Sequence, residues 1–390
     1  MLTVLVVPIH GQNINNTLGV GGSFVIKDGL SPSTTFLSLS QADGYLSLSK
    51  GIVIPVATTS TVGVIFKGPD RFIHDFQPAG TSGGNTFVGD NAGNFTMGGV
   101  ANQASNNTAI GAGSMESLTT GYGNTAVGSA ALFHATTAFD NCVFGELSLA
   151  FNTVGNENSA FGHYALQTDS AGSNCSAFGS GALYYAKGDN NSAFGASAGS
   201  FVTTGSDNTL IGYNAQPSSQ TVSNEFTLGD FNVATLRCNT TTITALSDAR
   251  DKTNIRDLQL GLNFLMTVKP RLYNWDRREW YKDGNRNGSR AQKTPTAGFI
   301  AQELDAAQTQ AHAEWLRLVL KTNPERLEAT PGNLLPVMVK AIQELKTEND
   351  ALKNEIAVLR SSLNKQVKEE VRKAFRANED SKVSLNERKN

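Results

Sequence analysis

The stretch NTAVGSAALFHATTAFD, residues 124–140, is one copy of a repeat that decides the fold of this chain. Its opening motif, a short polar and apolar run closed by glycine, occurs eight times and ends at Gly89, Gly111, Gly128, Gly145, Gly162, Gly179, Gly195 and Gly212. The successive spacings are 22, 17, 17, 17, 17, 16 and 17 residues. Copies of nearly constant length predict a solenoid, in which each copy forms one coil stacked on the next.

Each coil is expected to contain two short strands and two turns, and to rise about 4.8 Å to the next coil. The glycine fits a turn with positive φ. The large apolar residue before it is expected inside the coil, and the smaller residue before that, usually alanine, is expected to face a second chain. Pairs such as Ala131-Leu132 predict the returning strand. The aligned asparagines are expected to form a hydrogen-bonded ladder.

The repeats and cysteines argue against a metal, a cofactor or a disulfide framework. Calcium-binding coils need clustered aspartates, which these coils lack. The three cysteines, Cys142, Cys175 and Cys238, have no metal-ligand spacing. Cys142 and Cys175 lie two coils apart, about 9–10 Å, which is too far for a disulfide. A thin coil buries little surface alone, so assembly as a trimer is expected.

The regions around the repeats are of other kinds. Residues 1–12 are interpreted either as a signal-peptide remnant or as a first β-strand. Residues 13–80 form an N-terminal β-rich region, residues 81–230 the repeat β-roll, and residues 231–246 a linker. The cluster of Asp70, Arg71, His74 and Asp75 resembles a site, but charged residues at a strand end are commoner.

Charge changes abruptly after residue 246. The whole chain has a net charge of −2 and is only 17% charged, with 38 glycines. Residues 81–246 hold two basic and ten acidic residues, whereas the part after 246 holds 26 basic and 20 acidic residues. Neither part is basic enough to indicate nucleic-acid binding. No stretch is long enough to span a membrane.

After residue 246 the pattern is that of a small α+β module over 247–334. Residues 258–268 have helical spacing that ends before Pro270. Residues 271–275 read as a strand, and residues 298–304 as a strand entering a helix. The module therefore differs in kind from the repeats before it.

Apolar heptads then predict a coiled coil over 335–375. One seam position holds Leu335, Ile342, Ile356 and Leu363, with Asn349 among them, and the other holds Met338, Leu345, Leu352 and Leu359. The heptads alone do not separate two strands from three, and a parallel homotrimer fits the fibre best. The charged tail, residues 376–390, is expected to fray.

Two resemblances follow from these motifs. The repeats resemble the head repeats of trimeric autotransporter adhesins and similar repeats in phage fibres. The C-terminal part resembles the self-cleaving intramolecular chaperone domain of phage endosialidases and tail fibres. This second resemblance is carried by residues 247–255, Lys269-Pro270, Tyr273, residues 298–303 and the terminal helix. It implies a trimeric domain that templates the upstream fibre and is then released by self-cleavage.

The resemblance also implies residue roles. The scissile bond is Leu246–Ser247, Ser247 is the nucleophile and Lys252 is the general base. The supporting motif residues are Asp248, Arg250 and Asn254. Arg250 could also favour the neutral form of the lysine. On a straight strand, residues five apart lie on opposite faces and about 16 Å apart. The pair therefore needs a turn between its members, or a lysine from a neighbouring subunit.

Together these features predict a mainly β homotrimeric fibre or surface adhesin, followed by an α+β chaperone domain that ends in a trimeric coiled coil. The domain acts as a single-turnover serine endopeptidase on its own chain. The alternative is a structural, receptor-binding fibre whose C-terminal domain trimerises without cutting. Either belongs outside the cell or on a phage or injection-particle fibre. Binding to a surface glycan or receptor stays open.

Overall fold

The structure is a computed structural model that describes residues 23–27, 35–40, 46–48, 54–233, 235–237, 239 and 245–387. The interpretation of residues 1–12 lies outside this part of the chain. Contacts divide the chain into two compact units, one ending at Asn232 and the other beginning at Val233.

The first unit opens with antiparallel strands. A three-stranded sheet is formed by β1 (Ser23–Lys27), β2 (Thr35–Ser40) and β3 (Leu46–Leu48). A hairpin of β4 (Ile65–Lys67) and β5 (Asp70–His74) then pairs antiparallel with the first solenoid strand. Such a hairpin covers the edge that a parallel stack would otherwise leave open for aggregation.

The predicted solenoid is confirmed: within the described residues, nine three-residue strands stack in parallel and in register. They are β6 (Thr86–Val88), β7 (Thr108–Ile110), β8 (Thr125–Val127), β9 (Cys142–Phe144), β10 (Ser159–Phe161), β11 (Ser176–Phe178), β12 (Ser192–Phe194), β13 (Thr209–Ile211) and β14 (Phe226–Leu228). Strand β14 was missed in the sequence because Glu225 replaces the motif asparagine.

The asparagine ladder is also confirmed, and its members are buried. Asn107 Oδ1, for example, accepts the backbone N–H of Asn124 at 3.1 Å and its side-chain amide at 3.0 Å. The motif glycines stack equally closely. A Cβ on Gly128 would lie 2.4 Å from the carbonyl oxygen of Gly145, and φ there is +138°. Backbone from adjacent coils therefore meets where only glycine fits.

The prediction of which strand residue points inward is wrong. The small residue is fully buried, as at Ala126 and Ala177, whereas the large residue before the glycine faces outward. Phe144 and Phe178 are 38% and 37% exposed. The reason lies across the coil, where a leucine such as Leu132 is fully buried and occupies the interior opposite the strand. In this coil the turn supplies the large interior side chain, and the strand supplies the small one.

The predicted returning strand is wrong as well. The residues that follow each glycine form turns, and the buried leucines lie in the left-handed region, with φ of 53° at Leu132 and 52° at Leu166. A non-glycine residue in that region costs about 1–2 kcal/mol. Full burial of a leucine side chain contributes about 1.5–3 kcal/mol. Core burial thus offsets the backbone strain that sequence periodicity does not reveal.

Two glycines compensate for large interior strand residues. Phe87 and Leu210 replace the usual alanine, and both are fully buried. A Cβ on Gly93 would lie 2.5 Å from the Phe87 ring, and one on Gly199 would lie 2.8 Å from Leu183 and 3.1 Å from Leu210. At these two positions glycine leaves room for the neighbouring large side chain, as close packing requires.

Two polar side chains lie inside the solenoid at the same position of adjacent coils. Asn152 and Asp169 are both fully buried. Asp169 Oδ1 accepts the backbone N–H of Gly172 at 2.6 Å, whereas its Oδ2 and both polar atoms of Asn152 have no hydrogen-bond partner among the described residues. Burial raises the pKa of Asp169 from 3.8 to about 6. The interior therefore favours the protonated acid.

Replacing Asp169 with asparagine is expected to stabilise the solenoid at pH 7.5 and to change little at pH 4. A raised pKa in the folded state contributes stability that is present below pH 4 and is lost as pH rises through about 6. The loss is on the order of 3 kcal/mol. Chemical unfolding of both proteins, followed by tyrosine absorbance, measures the difference at each pH.

The comparison with the parent protein is necessary because His74 has an opposing effect. Burial lowers the pKa of His74 to about 4, so the folded protein loses stability as pH falls. An exposed carboxylate, Asp207, is the control. Asp207→Asn should not give this stabilisation at pH 7.5, and equal stabilisation by both variants would contradict the assignment to Asp169.

The second unit contains three α-helices and two small hairpins within its described residues. In chain order they are α1 (Leu262–Leu265), β15 (Arg271–Tyr273), β16 (Thr296–Gly298), α2 (Ala301–Gln310), β17 (Val319–Leu320), β18 (Glu328–Ala329) and α3 (Leu335–Glu387). Strand β15 pairs antiparallel with β16, and β17 with β18. The core includes Phe264, Leu304, Leu318, Leu334 and Val337.

The strand predicted at 271–275 is found but ends at Tyr273. The strand predicted to enter a helix at 298–304 is found earlier, at Thr296–Gly298, and the helix follows from Ala301. The helix predicted over 258–268 is shorter, because it begins only at Leu262. Gly261 precedes it with φ −139° and ψ −129°, a conformation outside the helical region. Leu258 and Leu260 still pack against the core, so the apolar spacing reflects burial of an extended segment.

Helix α3 carries two apolar stripes. Leu334, just before it, and Val337 and Ala341 in its first turns are buried against the module. The predicted seam lies on the exposed side, with Ile342 64% and Leu352 58% exposed. The helix continues to Glu387, so the expectation that the tail frays after Phe375 is wrong. The tail is rich in Lys, Glu, Arg and Ala, which are strong helix formers.

Candidate functional site

A single tight turn brings the predicted cleavage residues together. Residues Ala249–Asp251 form one turn of 3₁₀ helix, and Asp248 caps it by accepting the backbone N–H of Arg250 at 2.9 Å. The turn closes with the N–H of Lys252 donating to the carbonyl oxygen of Ala249 at 3.2 Å. Aspartate is a preferred cap because its carboxylate satisfies an orphan donor. The chain therefore reverses between Ser247 and Lys252.

Ser247 and Lys252 contact each other within one chain. Lys252 Nζ donates to Ser247 Oγ, and to the Ser247 carbonyl oxygen at 3.2 Å. Of the two arrangements that sequence spacing allowed, a turn or a lysine from a neighbouring subunit, the structure has the turn. Without its proton, the same amine in the same place would accept the hydroxyl proton of the serine.

Asp248 and Arg250 form the support of this turn. The guanidinium makes a bidentate ion pair with the carboxylate, with Nε at 3.1 Å from both oxygens and the terminal nitrogen at 2.6 Å. This pairing holds the pKa of Asp248 below its ordinary value and raises the pKa of Arg250. Arg250 is therefore paired with Asp248, and both residues stabilise the turn.

Asn254 ends the motif with a second change of direction. Its φ is +53°, in the left-handed region where asparagine is among the best-tolerated residues. The chain then runs into the module, where Leu258 and Leu260 pack on the core. Asn254 therefore sets the direction in which the Ser247 turn leaves the module.

The site is open in a single chain. Leu246, before the predicted scissile bond, is fully exposed at 103%, and every residue from Ser247 to Lys252 is also exposed. A lysine acts as a base only when neutral, and a water-excluding environment favours that form. The single chain supplies the contact between the predicted nucleophile and the predicted base, but not the enclosure.

Helix α3 contacts the start of helix α1 beside Gly261, and the sequence did not predict this contact. Glu344 of α3 accepts the backbone N–H of Leu262 at 2.7 Å and so caps helix α1. Lys340 lies 3.6 Å from the same carboxylate. A Cβ on Gly261 would lie 2.2 Å from Glu344 Oε2. The two partners are 82 residues apart, so no local signal in the sequence could have indicated the contact.

Gly261→Ala is expected to destabilise the module by about 1–3 kcal/mol, because the added methyl group displaces the capping carboxylate. Gly332→Ala is the matched control, since nothing lies within 4 Å of its added Cβ. All three tryptophans, Trp275, Trp280 and Trp315, lie in this unit, so their fluorescence reports its unfolding. Equal melting temperatures for the two variants would contradict the role of Gly261.

The charged cluster before the repeats is structural. His74 is buried, and its Nε2 lies 2.9 Å from the carbonyl oxygen of Ala92. Arg71 donates to the carbonyl oxygens of Asn91 and Ala92 at 2.9 and 3.2 Å. Asp75 accepts the N–H of Ala57 at 2.8 Å. These contacts hold the capping hairpin on the first coil, as expected of charges at a strand end.

The described residues contain no group of three or more His, Cys, Asp or Glu side chains placed to hold a metal ion. Cys142 and Cys175 are free thiols. None of the helices in the described part of the chain is long and apolar enough to cross a membrane.

Comparison with protein families identifies the segment that carries the turn. Residues 247–312 match the Peptidase_S74 family model, described as chaperone of endosialidase. The similarity covers 66 of the 390 residues. The match begins at Ser247, the first residue of the site, and ends at His312, just after helix α2. Comparisons with curated proteins and with solved structures found no match. In chain order, this segment follows the β-solenoid and precedes the long C-terminal helix.

Proposed function

We propose that three copies of the chain form a fibre or surface adhesin. The C-terminal domain templates its assembly and then releases itself by cutting between Leu246 and Ser247. The observation that carries the proposal is the contact of Lys252 Nζ with Ser247 Oγ, at the first residue of the chaperone-of-endosialidase match. The exposed heptad seam of α3 supports assembly, because such a seam is buried only against other helices.

The reaction is an acyl shift followed by hydrolysis. Neutral Lys252 takes the proton of Ser247 Oγ, which attacks the carbonyl carbon of Leu246. The Leu246–Ser247 C–N bond breaks, the lysine returns the proton to the departing Ser247 nitrogen, and Leu246 becomes an ester of Ser247 Oγ. Water then hydrolyses the ester, which leaves a carboxylate on Leu246 and restores the hydroxyl. The reaction balances without a cofactor.

Folding physics supports release after assembly. Interleaved β-fibres have many non-local contacts and fold slowly, so a trimerised C-terminus helps by raising the local chain concentration and setting the register. Because Leu246 and Ser247 are exposed in one chain, enclosure of the site by neighbouring chains would make the cut conditional on assembly. Once the C-terminal domain has been released, unfolding of the fibre would be effectively irreversible.

A denaturing gel of purified protein tests the proposal. Two fragments, residues 1–246 and 247–390, are expected instead of one 41.5 kDa chain. N-terminal sequencing of the smaller fragment should begin at Ser247, and a different first residue would overturn the assigned bond. A single uncut band from a trimer would instead support the alternative of a structural fibre.

The fibre belongs outside a cell or on a phage or injection particle. This location is proposed because the C-terminal part resembles a domain of phage endosialidases and tail fibres. A cell-surface glycan or receptor is the class of partner that such a fibre would bind. Glycan arrays probed with the intact fibre would identify such a partner.

A further inference from the structure

The outward side of the parallel sheet, here called the sheet face, carries two regular columns of side chains. The first column is Thr86, Thr108, Thr125, Cys142, Ser159, Ser176, Ser192, Thr209 and Phe226. The second is Val88, Ile110, Val127, Phe144, Phe161, Phe178, Phe194, Ile211 and Leu228. Neither column contains a charged residue. At about 4.8 Å per strand the face is about 40 Å long.

The centre of the sheet face is a stack of four phenylalanine rings. Phe144, Phe161, Phe178 and Phe194 stack with centroids 4.9–5.1 Å apart and interplanar angles of 4–9°. Phe194 is nevertheless 43% exposed, because stacking covers the faces of the rings and leaves their edges open. A contiguous apolar strip of this size marks an interaction surface.

The turn side of the solenoid lacks this regularity. Six residues after the motif glycine, successive coils place Ser117, His134, Phe151, Thr168, Tyr185 and Phe201. The neighbouring column includes the charged Glu116. Because these side chains differ from coil to coil, a partner whose surface repeats regularly could not pack equally well against every coil on this side.

We propose that two further copies of the chain pack on the sheet face in register, so that the phenylalanine stacks meet around a common axis. A surface that repeats every strand and carries no charge is matched at each level by a partner with the same repeat. The 53-residue helix of the same chain exposes a seam that also requires other copies. The inference rests on the proposed trimer and names the surface through which the fibre part assembles.

Cys142 is a native reporter of this packing. It lies in the first column, on the same strand as Phe144, and is partly exposed, whereas Cys175 is fully buried inside the coil. In the proposed trimer the three Cys142 thiols lie at one level. With Cys238→Ser as the background, a short bis-maleimide is expected to link the fragments 1–246 of neighbouring chains through Cys142. Further replacement of Cys142 with serine should abolish the link.

A matched pair of phenylalanines tests the face itself. Phe144 and Phe151 belong to the same coil and are 38% and 48% exposed, but Phe151 lies on the turn side. Phe144→Asp is expected to abolish the Cys142 link, because it places three carboxylates at the axis. Phe151→Asp should leave the link at the parent yield.

Moving the thiol provides a measurement that does not depend on a disruptive change. In a background with Cys142 and Cys238 replaced by serine, Ser159→Cys should restore linking, since it occupies the next level of the same column. Phe151→Cys should not. Linking through residue 151 and none through residue 159 in a protein of trimeric mass would overturn the inference and leave the proposed function intact. A monomeric mass from light scattering would instead overturn the proposed trimer, and with it this inference.

Discussion

Ser247→Ala is expected to leave the full-length chain uncut, with cleavage slowed by at least about 10³-fold, because the hydroxyl that would attack Leu246 is gone. Lys252→Ala should have an effect of similar size, since removal of a general base costs about 10²–10⁴-fold. Both variants should still form trimers, because the turn lies outside the helix seam. The remaining uncut fraction on a denaturing gel, followed over time after synthesis, measures each rate.

Three controls separate chemistry from structure. Lys252→Arg keeps the positive charge but cannot supply a neutral base, so it should also stay uncut. Ser247→Cys restores a nucleophile and should recover part of the cleavage. Arg256→Ala removes an exposed cation four residues away and should cut at the parent rate. Normal cleavage of Lys252→Ala would contradict the role of the lysine.

Leu352→Asp is expected to convert the proposed trimer to monomers and to prevent the proposed cleavage. Leu352 is 58% exposed in the single chain and occupies a predicted seam position, so three copies of the change would bury three carboxylates next to one another. Breaking such an interface is expected to cost several kcal/mol, beyond what a marginal assembly tolerates. Light scattering and the denaturing gel measure mass and cleavage in the same sample.

Asn354→Asp is the matched control, two residues further along the same helix and outside the seam. It adds the same charge and should leave both trimer and cleavage unchanged. A monomeric Leu352→Asp protein that still cuts at Leu246–Ser247 would show that the turn works without enclosure. That result would refute the dependence of cleavage on assembly and leave the catalytic pair standing.

The solenoid could be predicted from the sequence because its signal is periodic. Seventeen residues per copy require every coil to place equivalent residues at equivalent positions, and the stacked asparagines and glycines follow from that alone. Which side of the strand is buried could not be predicted. Both Ala126 and Val127 are apolar, and the choice depends on Leu132 entering the interior from a left-handed turn.

The candidate site shows the same division. The motif from Ser247 to Asn254 is contiguous, so it can be recognised without a structure, and its spacing already demanded a turn or a second chain. The turn itself depends on the cap that Asp248 provides to Arg250. The support of the module by Glu344 depends on a residue 82 positions away. Long-range contacts of this kind produce no periodic pattern in the sequence.

By itself, the sequence determined the order of parts: a solenoid, the motif from Ser247 to Asn254, a small module and a long helix with an apolar seam. Repeats, contiguous motifs and heptads are local patterns, and local patterns can be recognised in the sequence alone. Only the tertiary structure decided that alanines face inward and phenylalanines outward, and that Lys252 reaches Ser247 within its own chain. These outcomes depend on which side chains compete for the same space, and that competition exists only once the chain is folded.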